Sequence, residues 1–124
     1  MNAKVTMVIR ILLGVFMLTF GLNKFLHFIP FETPQGDMGT LMGVLGGSPF
    51  FTVIGVIEVV GGALLILGKY VPLAITFLTA VLFNATLFHL FFEPANVMGA
   101  LVGLVLCLVL VYAYKDRFKE LFSA

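Results

Sequence analysis

The chain has 124 residues, of which 61% are hydrophobic and only 10% are charged. Soluble domains are typically about half apolar and about a quarter charged, so this composition indicates an integral membrane protein instead. The net charge of +1 comes without a basic block, which argues against nucleic acid as a partner. The single cysteine, Cys107, excludes an internal disulfide and a Cys-x-x-Cys redox pair.

Four apolar runs, taken in chain order, predict four membrane-spanning helices. They cover residues 5–28, 50–67, 71–92 and 96–114. Each has about the 17–25 residues that a spanning helix requires. The first run follows a positively charged start but shows no Ala-x-Ala cleavage site, so we expect it to be an uncleaved first helix. The sequence thus predicts an all-α, four-helix membrane bundle that forms a single domain over residues 1–124.

The connections between the runs differ in length. Residues 68–70 and 93–95 are tight turns, so the second, third and fourth helices should be antiparallel neighbours. The first connection, residues 29–49, is long and contains Pro30, Pro34 and several glycines. Its middle, residues 37–45, is expected to form a short interfacial helix capped by Asp37. A loop of this length in so small a protein is a candidate lid.

Basic residues set the expected orientation. Only Lys24 falls on one side of a four-helix arrangement, and the other basic residues fall on the opposite side: Lys4, Arg10, Lys69, Lys115, Arg117 and Lys119. The positive-inside rule then places both termini in the cytoplasm of a cell with an inner membrane, and the long first loop outside it.

Glu58 is the only charged residue of the second run, and it lies near the centre of that run. A carboxylate at this depth costs several kcal/mol by most scales (~2.5 or more), so it needs a partner, a proton or a water-filled cavity. Gly55, Gly61 and Gly62 flank it and leave room for another backbone to approach closely. We therefore expect the other polar groups of the membrane domain to gather around Glu58.

The expected companions lie in the outer half of the bundle, beneath the long loop. Lys24 is the preferred partner, because its stem is long enough to point down toward Glu58. Such a pair would either bind a polar headgroup, such as a quinone carbonyl, or serve only to fix two helices together. A protonated Glu58 hydrogen-bonded to Asn84 is a further alternative. The full set of candidate ligand-binding residues is Asn23, Lys24, His27, Glu58, Asn84 and His89.

Each of the other candidates also has a simpler structural interpretation. Asn23 and Asn84 carry amides, which commonly form hydrogen bonds between membrane helices. His27 and His89 could ligate a haem iron, and nearby methionines suit copper, but no spacing fixes a third ligand. We therefore predict no metal site. A quinone, whose carbonyls accept hydrogen bonds, suits lysine, histidine and asparagine donors better.

Three segments resemble the DoxX family of four-helix membrane proteins. They are Gly21-Leu22-Asn23-Lys24-Phe25, then Glu58-Val59-Val60-Gly61-Gly62-Ala63-Leu64-Leu65, then Asn84-Ala85-Thr86-Leu87-Phe88-His89. The resemblance implies the four-helix fold. Members and relatives of the family include subunits of quinone-linked oxidoreductases as well as cargo receptors and assembly chaperones, so the resemblance does not choose between redox and non-enzymatic roles.

Two functions follow as hypotheses. In the first, the chain is a membrane subunit of a redox system that binds a quinone-like lipophilic ligand in the outer polar pocket. It would work with a partner redox subunit or as a homo-oligomer and would not be catalytic alone. In the second, it is a non-enzymatic scaffold, chaperone or receptor-like protein that acts through partner binding.

Overall fold

A computed structural model describes residues 1–124 as an all-helical chain without strands. Its five α-helices are α1 (Ala3–Leu26), α2 (Gly36–Gly46), α3 (Phe50–Leu67), α4 (Val71–Phe92) and α5 (Met98–Ala113). Three short 3-10 segments, Pro94–Asn96, Lys115–Arg117 and Lys119–Phe122, follow α4 and α5. The backbone hydrogen bonds of the helices are therefore made within each helix, as required for segments that lie in lipid.

Helices α1, α3 and α4 are long and apolar enough to cross a membrane. The fourth apolar run forms a shorter helix, α5, of 16 residues, which spans about 24 Å at the usual rise per residue. It is shorter than the run because Asn96 belongs to a 3-10 turn and Tyr114 ends the helix. Many large apolar side chains face outward, as expected for contact with lipid.

Local signals explain where the helices begin and end. The Asn2 side chain caps α1 by accepting hydrogen bonds from the backbone nitrogens of Lys4 and Val5, at 2.8 and 3.3 Å. Gly68 ends α3 in a left-handed conformation, with φ of 71°. Helix α2 begins after Gln35, and Asp37 lies in its first turn without capping it. The expected Asp37 cap is therefore wrong, although the carboxylate still lies where the helix dipole favours it.

The helices pack in an antiparallel cycle. Helix α1 contacts α3 most extensively, α3 contacts α4, α4 contacts α5, and α5 returns to α1, while α2 lies on α3 and α4. Two ends result. We call the end where α1 and α4 begin the basic end, with Lys4, Arg10, Lys69, Lys115, Arg117 and Lys119, and the other the acidic end, with Glu32, Asp37 and Glu93.

The apolar core lies in the middle and toward the basic end. Its buried members are Leu13, Met17, Leu65, Val71, Ala74, Ile75, Leu78, Leu82, Cys107, Leu110 and Phe118. The three buried polar side chains, those of Asn23, Glu58 and Thr86, lie instead toward the acidic end. Dispersion contacts between apolar side chains thus stabilise the half toward the basic end, and polar contacts add to the stability of the half toward the acidic end.

A glycine seam, formed by Gly14 and Gly21 of α1 with Gly55 and Gly62 of α3, explains the close α1–α3 contact. A Cβ atom added to Gly62 would lie 2.7 Å from both the Gly14 carbonyl oxygen and the Leu18 nitrogen. Only glycine therefore allows the two backbones to approach this closely, as small residues do in membrane helix pairs. Of the three glycines that flank Glu58, Gly62 admits the backbone of α1 as expected, whereas Gly55 and Gly61 face the side chains of Phe25 and Leu78.

Candidate functional site

The centre of the candidate site is an ion pair between Lys24 of α1 and Glu58 of α3. The Glu58 side chain is 7% exposed, whereas that of Lys24 is 27% exposed. The carboxylate therefore lies between the helices, while part of the lysine reaches the surface of the bundle. This arrangement matches the partner expected for a carboxylate buried in an apolar helix.

The glycine seam places these two charges opposite each other. A Cβ on Gly21 would lie 2.8 Å from the Glu58 Cβ, so Glu58 fits against bare backbone of α1. Across the seam, a Cβ on Gly55 would lie 3.4 Å from the Lys24 Cβ and 2.8 Å from the Phe25 ring. Each charged residue thus faces a glycine of the other helix, which brings the side chains within reach of one another.

Asn23 anchors the chain that follows α1. Its amide nitrogen donates to the Ile29 carbonyl at 3.2 Å, and its carbonyl oxygen accepts from the Ile29 nitrogen at 2.7 Å. Both ends of the buried amide are therefore engaged by the first loop. Asn23 lies beside Lys24 in sequence, but its polar atoms hold the loop rather than the ion pair.

Asn84 does not join the ion pair. It is exposed on α4, and its amide nitrogen donates to the Ala80 carbonyl of its own helix at 2.9 Å. The alternative of a hydrogen bond between Glu58 and Asn84 is therefore wrong. The buried polar residue of this segment is Thr86, two positions later, whose hydroxyl donates to the Leu82 carbonyl at 2.7 Å. Two residues along a helix correspond to a rotation of about 200°, and this separates the two faces.

The two histidines make different contacts. His27 is exposed and ends α1 in a left-handed conformation, with φ of 52°. His89 Nδ1 lies 3.6 Å from Glu93 Oε1, one turn later on the same segment, and makes no hydrogen bond. No group of three or more His, Cys, Asp or Glu side chains comes together anywhere in the chain.

The structure also reveals neighbours that sequence patterns did not single out. The Phe25 ring lies over Gly55 beside Lys24, and it is 43% exposed. Phe20 stacks on Phe31 of the loop, with ring centroids 6.0 Å apart. The sequence showed these phenylalanines only as part of a high aromatic content, and no spacing singled them out. At the acidic end the site therefore combines one reachable ammonium group, its buried counter-ion and adjacent aromatic rings.

Chemically, this arrangement can hold an acceptor group. A lysine ammonium has three N–H donors. A single carboxylate partner need not engage all three, so a donor can remain for a ligand. Glu58 fixes the position of the ammonium, because leaving the seam would strand a buried carboxylate. The aromatic rings provide flat apolar surface next to the charge.

Most of the chain matches a known protein family. The DoxX family model covers residues 5–94, which include most of α1, all of α2 to α4 and every candidate site residue. Comparisons with curated proteins and with solved structures found no match. The match covers most of the chain and the whole of the Lys24–Glu58 region. This chain therefore belongs to the DoxX family of membrane proteins.

Proposed function

We propose that the protein is a membrane subunit that binds the headgroup of a quinone-like ligand at the acidic end. The Lys24 ammonium donates to a ring carbonyl, and Glu58 orients the ammonium. The single observation that carries the proposal is the ion pair, in which the carboxylate is buried and the lysine remains partly exposed. A binding site needs one partner within reach of the ligand, and the partly exposed lysine meets that need.

The neighbouring residues support a ring-shaped ligand. Phe25 lies beside Lys24 and offers a half-exposed ring on which another ring can stack. His27, three residues after Lys24, is exposed and offers a second donor near the same end. A ligand with two ring carbonyls and an apolar tail accepts hydrogen bonds from both donors, stacks its ring on Phe25 and leaves its tail in lipid.

In this role the chain would act as one part of a redox system. It holds the ring, and a partner subunit of the redox class supplies or accepts the electrons. The only cysteine, Cys107, lies fully buried in the apolar core, so we assign it to packing.

We further propose that α5 is the fourth membrane span and that both termini lie in the cytoplasm of a cell with an inner membrane. The support is the charge distribution: the basic end collects nearly all lysines and arginines, and the acidic end collects Glu32, Asp37 and Glu93. Cysteine labelling from outside intact cells, at a cysteine introduced at Glu32 or at Lys69, tests the orientation. Labelling at position 32 alone is expected.

The ligand proposal is tested by extracting lipids from purified protein and measuring quinone by mass spectrometry. Quinone should accompany the native chain and the Asn84→Leu variant, because Asn84 faces away from the pair. It should be lost from the double variant Lys24→Met/Glu58→Leu, which removes both charges together and so leaves neither unpaired. Equal quinone in all three preparations, or none in the native one, would contradict the proposal.

A second candidate function is a non-enzymatic scaffold in which the ion pair only joins α1 to α3. The specific observation in its favour is that the other buried polar side chains are satisfied by their own chain, as Asn23 is by Ile29 and Thr86 by Leu82. In that case the double variant should still capture a stoichiometric partner protein from native membranes. Partner capture without quinone in the native chain would favour this second function.

A further inference from the structure

A groove of about 470 Å³ opens at the basic end, far from the ion pair. It lies where the start of α1 meets the end of α5. Its lining residues are Met1, Ala3, Thr6, Met7, Arg10, Ala113 and Tyr114. The lining combines one permanent cation and two hydroxyl groups with the apolar side chains of two methionines and two alanines.

Arg10 has no acidic partner within the chain. The carboxylates that lie close to a basic side chain are those of Glu58, near Lys24, and Glu93, near His89, both elsewhere. The Arg10 guanidinium lies against Gly68, where a Cβ would come within 2.9 Å of Nη1. Its Nε is buried and makes no hydrogen bond. The end of α3 offers partial negative charge from its carbonyl groups, which does not equal a full counter-ion.

The surroundings of the groove add positive charge. Lys4, Lys69, Lys115 and Arg117 lie at the same end, and the acidic residues there are Asp116 and Glu120. Arg10 lies about 10 Å along α1 from its first residue, counting the rise per residue. That depth matches the headgroup layer and the upper part of the hydrocarbon.

We propose that this groove binds the phosphate group of an anionic phospholipid, with Arg10 as its principal ligand. A guanidinium presents paired donors that match two phosphate oxygens. The Thr6 hydroxyl donates to the Asn2 carbonyl at 3.0 Å, so Tyr114 is the lining residue placed to donate a hydroxyl group. Met7 and Ala113 supply apolar surface for the glycerol and the start of the acyl chains. Basic pockets between membrane helices bind anionic lipid headgroups by this chemistry.

A free phosphate ion would use the same donors but not the apolar lining. We commit to the lipid because the groove opens among membrane helices and because more than half of its lining residues are apolar. The proposal does not depend on the ligand proposed for the acidic end.

Native mass spectrometry of the full chain, released from detergent micelles, tests the site. Phosphatidylglycerol is titrated against phosphatidylcholine, with inorganic phosphate as a third arm. The native chain should retain phosphatidylglycerol selectively. Arg10→Gln should weaken that binding about tenfold, as expected for the loss of a charge-assisted contact. Lys69→Gln, which removes an exposed cation of the same end outside the groove, should change binding by less than about twofold.

A second variant keeps the test decisive if Arg10→Gln fails to fold. Ala3→Trp fills the groove while retaining Arg10, and it places an aromatic residue where membrane interfaces favour one. It should weaken phosphatidylglycerol binding by a similar factor. Equal retention of the two lipids by the native chain would overturn the proposal. So would equal binding by Ala3→Trp and the native chain, or displacement of the lipid by millimolar inorganic phosphate.

Discussion

Two cations of helix α1, Lys24 and Arg10, meet different surroundings at α3. Lys24 faces Glu58 across the glycine seam and is neutralised within the chain. Arg10 lies against Gly68, where α3 ends, and has no carboxylate partner. Lys24 lies beside Gly55 inside α3, whereas Arg10 lies beside Gly68, the left-handed residue that ends α3. The carboxyl group of Glu58 makes Lys24 part of an internal pair, and no carboxyl group does so for Arg10.

The largest effect on stability is expected when the lysine is removed and its carboxylate partner is left in place. Lys24→Met should destabilise the protein by about 3 kcal/mol, because a buried carboxylate then has no counter-ion. The double variant Lys24→Met/Glu58→Leu should recover most of that loss. The free energy of unfolding, measured by denaturant titration in detergent, gives both values. A single variant as stable as the double would show that Glu58 does not depend on Lys24.

The second prediction concerns the glycine seam that joins α1 to α3 and places Lys24 opposite Glu58. Gly62→Ala should destabilise the protein by about 2 kcal/mol, because the added Cβ meets backbone atoms that cannot move independently. Gly99→Ala is the matched control, since a Cβ there meets nothing within 4 Å. The control should change stability by less than about 1 kcal/mol, in the stabilising direction. Thermal unfolding of both variants in the same detergent compares them, and equal losses would contradict the close packing of α1 on α3.

A smaller effect is expected at the basic end. Arg10→Met should destabilise the protein by about 1 kcal/mol, because it removes a cation from the end of α3 but leaves no buried carboxylate behind. Denaturant titration in detergent, without added phospholipid, measures the change. A loss as large as that of Lys24→Met would mean that Arg10 has an internal counter-ion after all.

The smallest effect is expected at Asn84. Asn84→Leu should change the free energy of unfolding by less than about 0.5 kcal/mol, because the side chain is exposed and bonds only to its own helix. The same titration checks it, beside Asn23→Leu as a contrast. Asn23→Leu removes both bonds to Ile29 and should cost about 1–2 kcal/mol. A large effect of Asn84→Leu would mean that Asn84 bonds to Glu58 and not only to its own helix.

Several features of the fold could be predicted from the chain itself. The apolar runs at residues 50–67 and 71–92 became α3 and α4 with those bounds, because uninterrupted apolar stretches leave few other ways to satisfy backbone groups in lipid. The need of Glu58 for a partner, a proton or a water-filled cavity was equally visible, since the cost of an isolated charge in an apolar run does not depend on the details of packing. Family membership followed from the same segments.

Only the tertiary structure decided which polar groups meet. Helix rotation turned Asn84 outward and Thr86 inward, and the turn after α1 engaged Asn23 with Ile29. These outcomes depend on the facing of neighbouring helices, which periodicity fixes weakly when every face of a helix is apolar. The sequence by itself therefore determined that a buried acid needs a partner, a proton or a water-filled cavity, and it favoured Lys24 as the partner. The packing of α1 on α3, made possible by glycine, decided that Lys24 is that partner and that Arg10 has no carboxylate beside it.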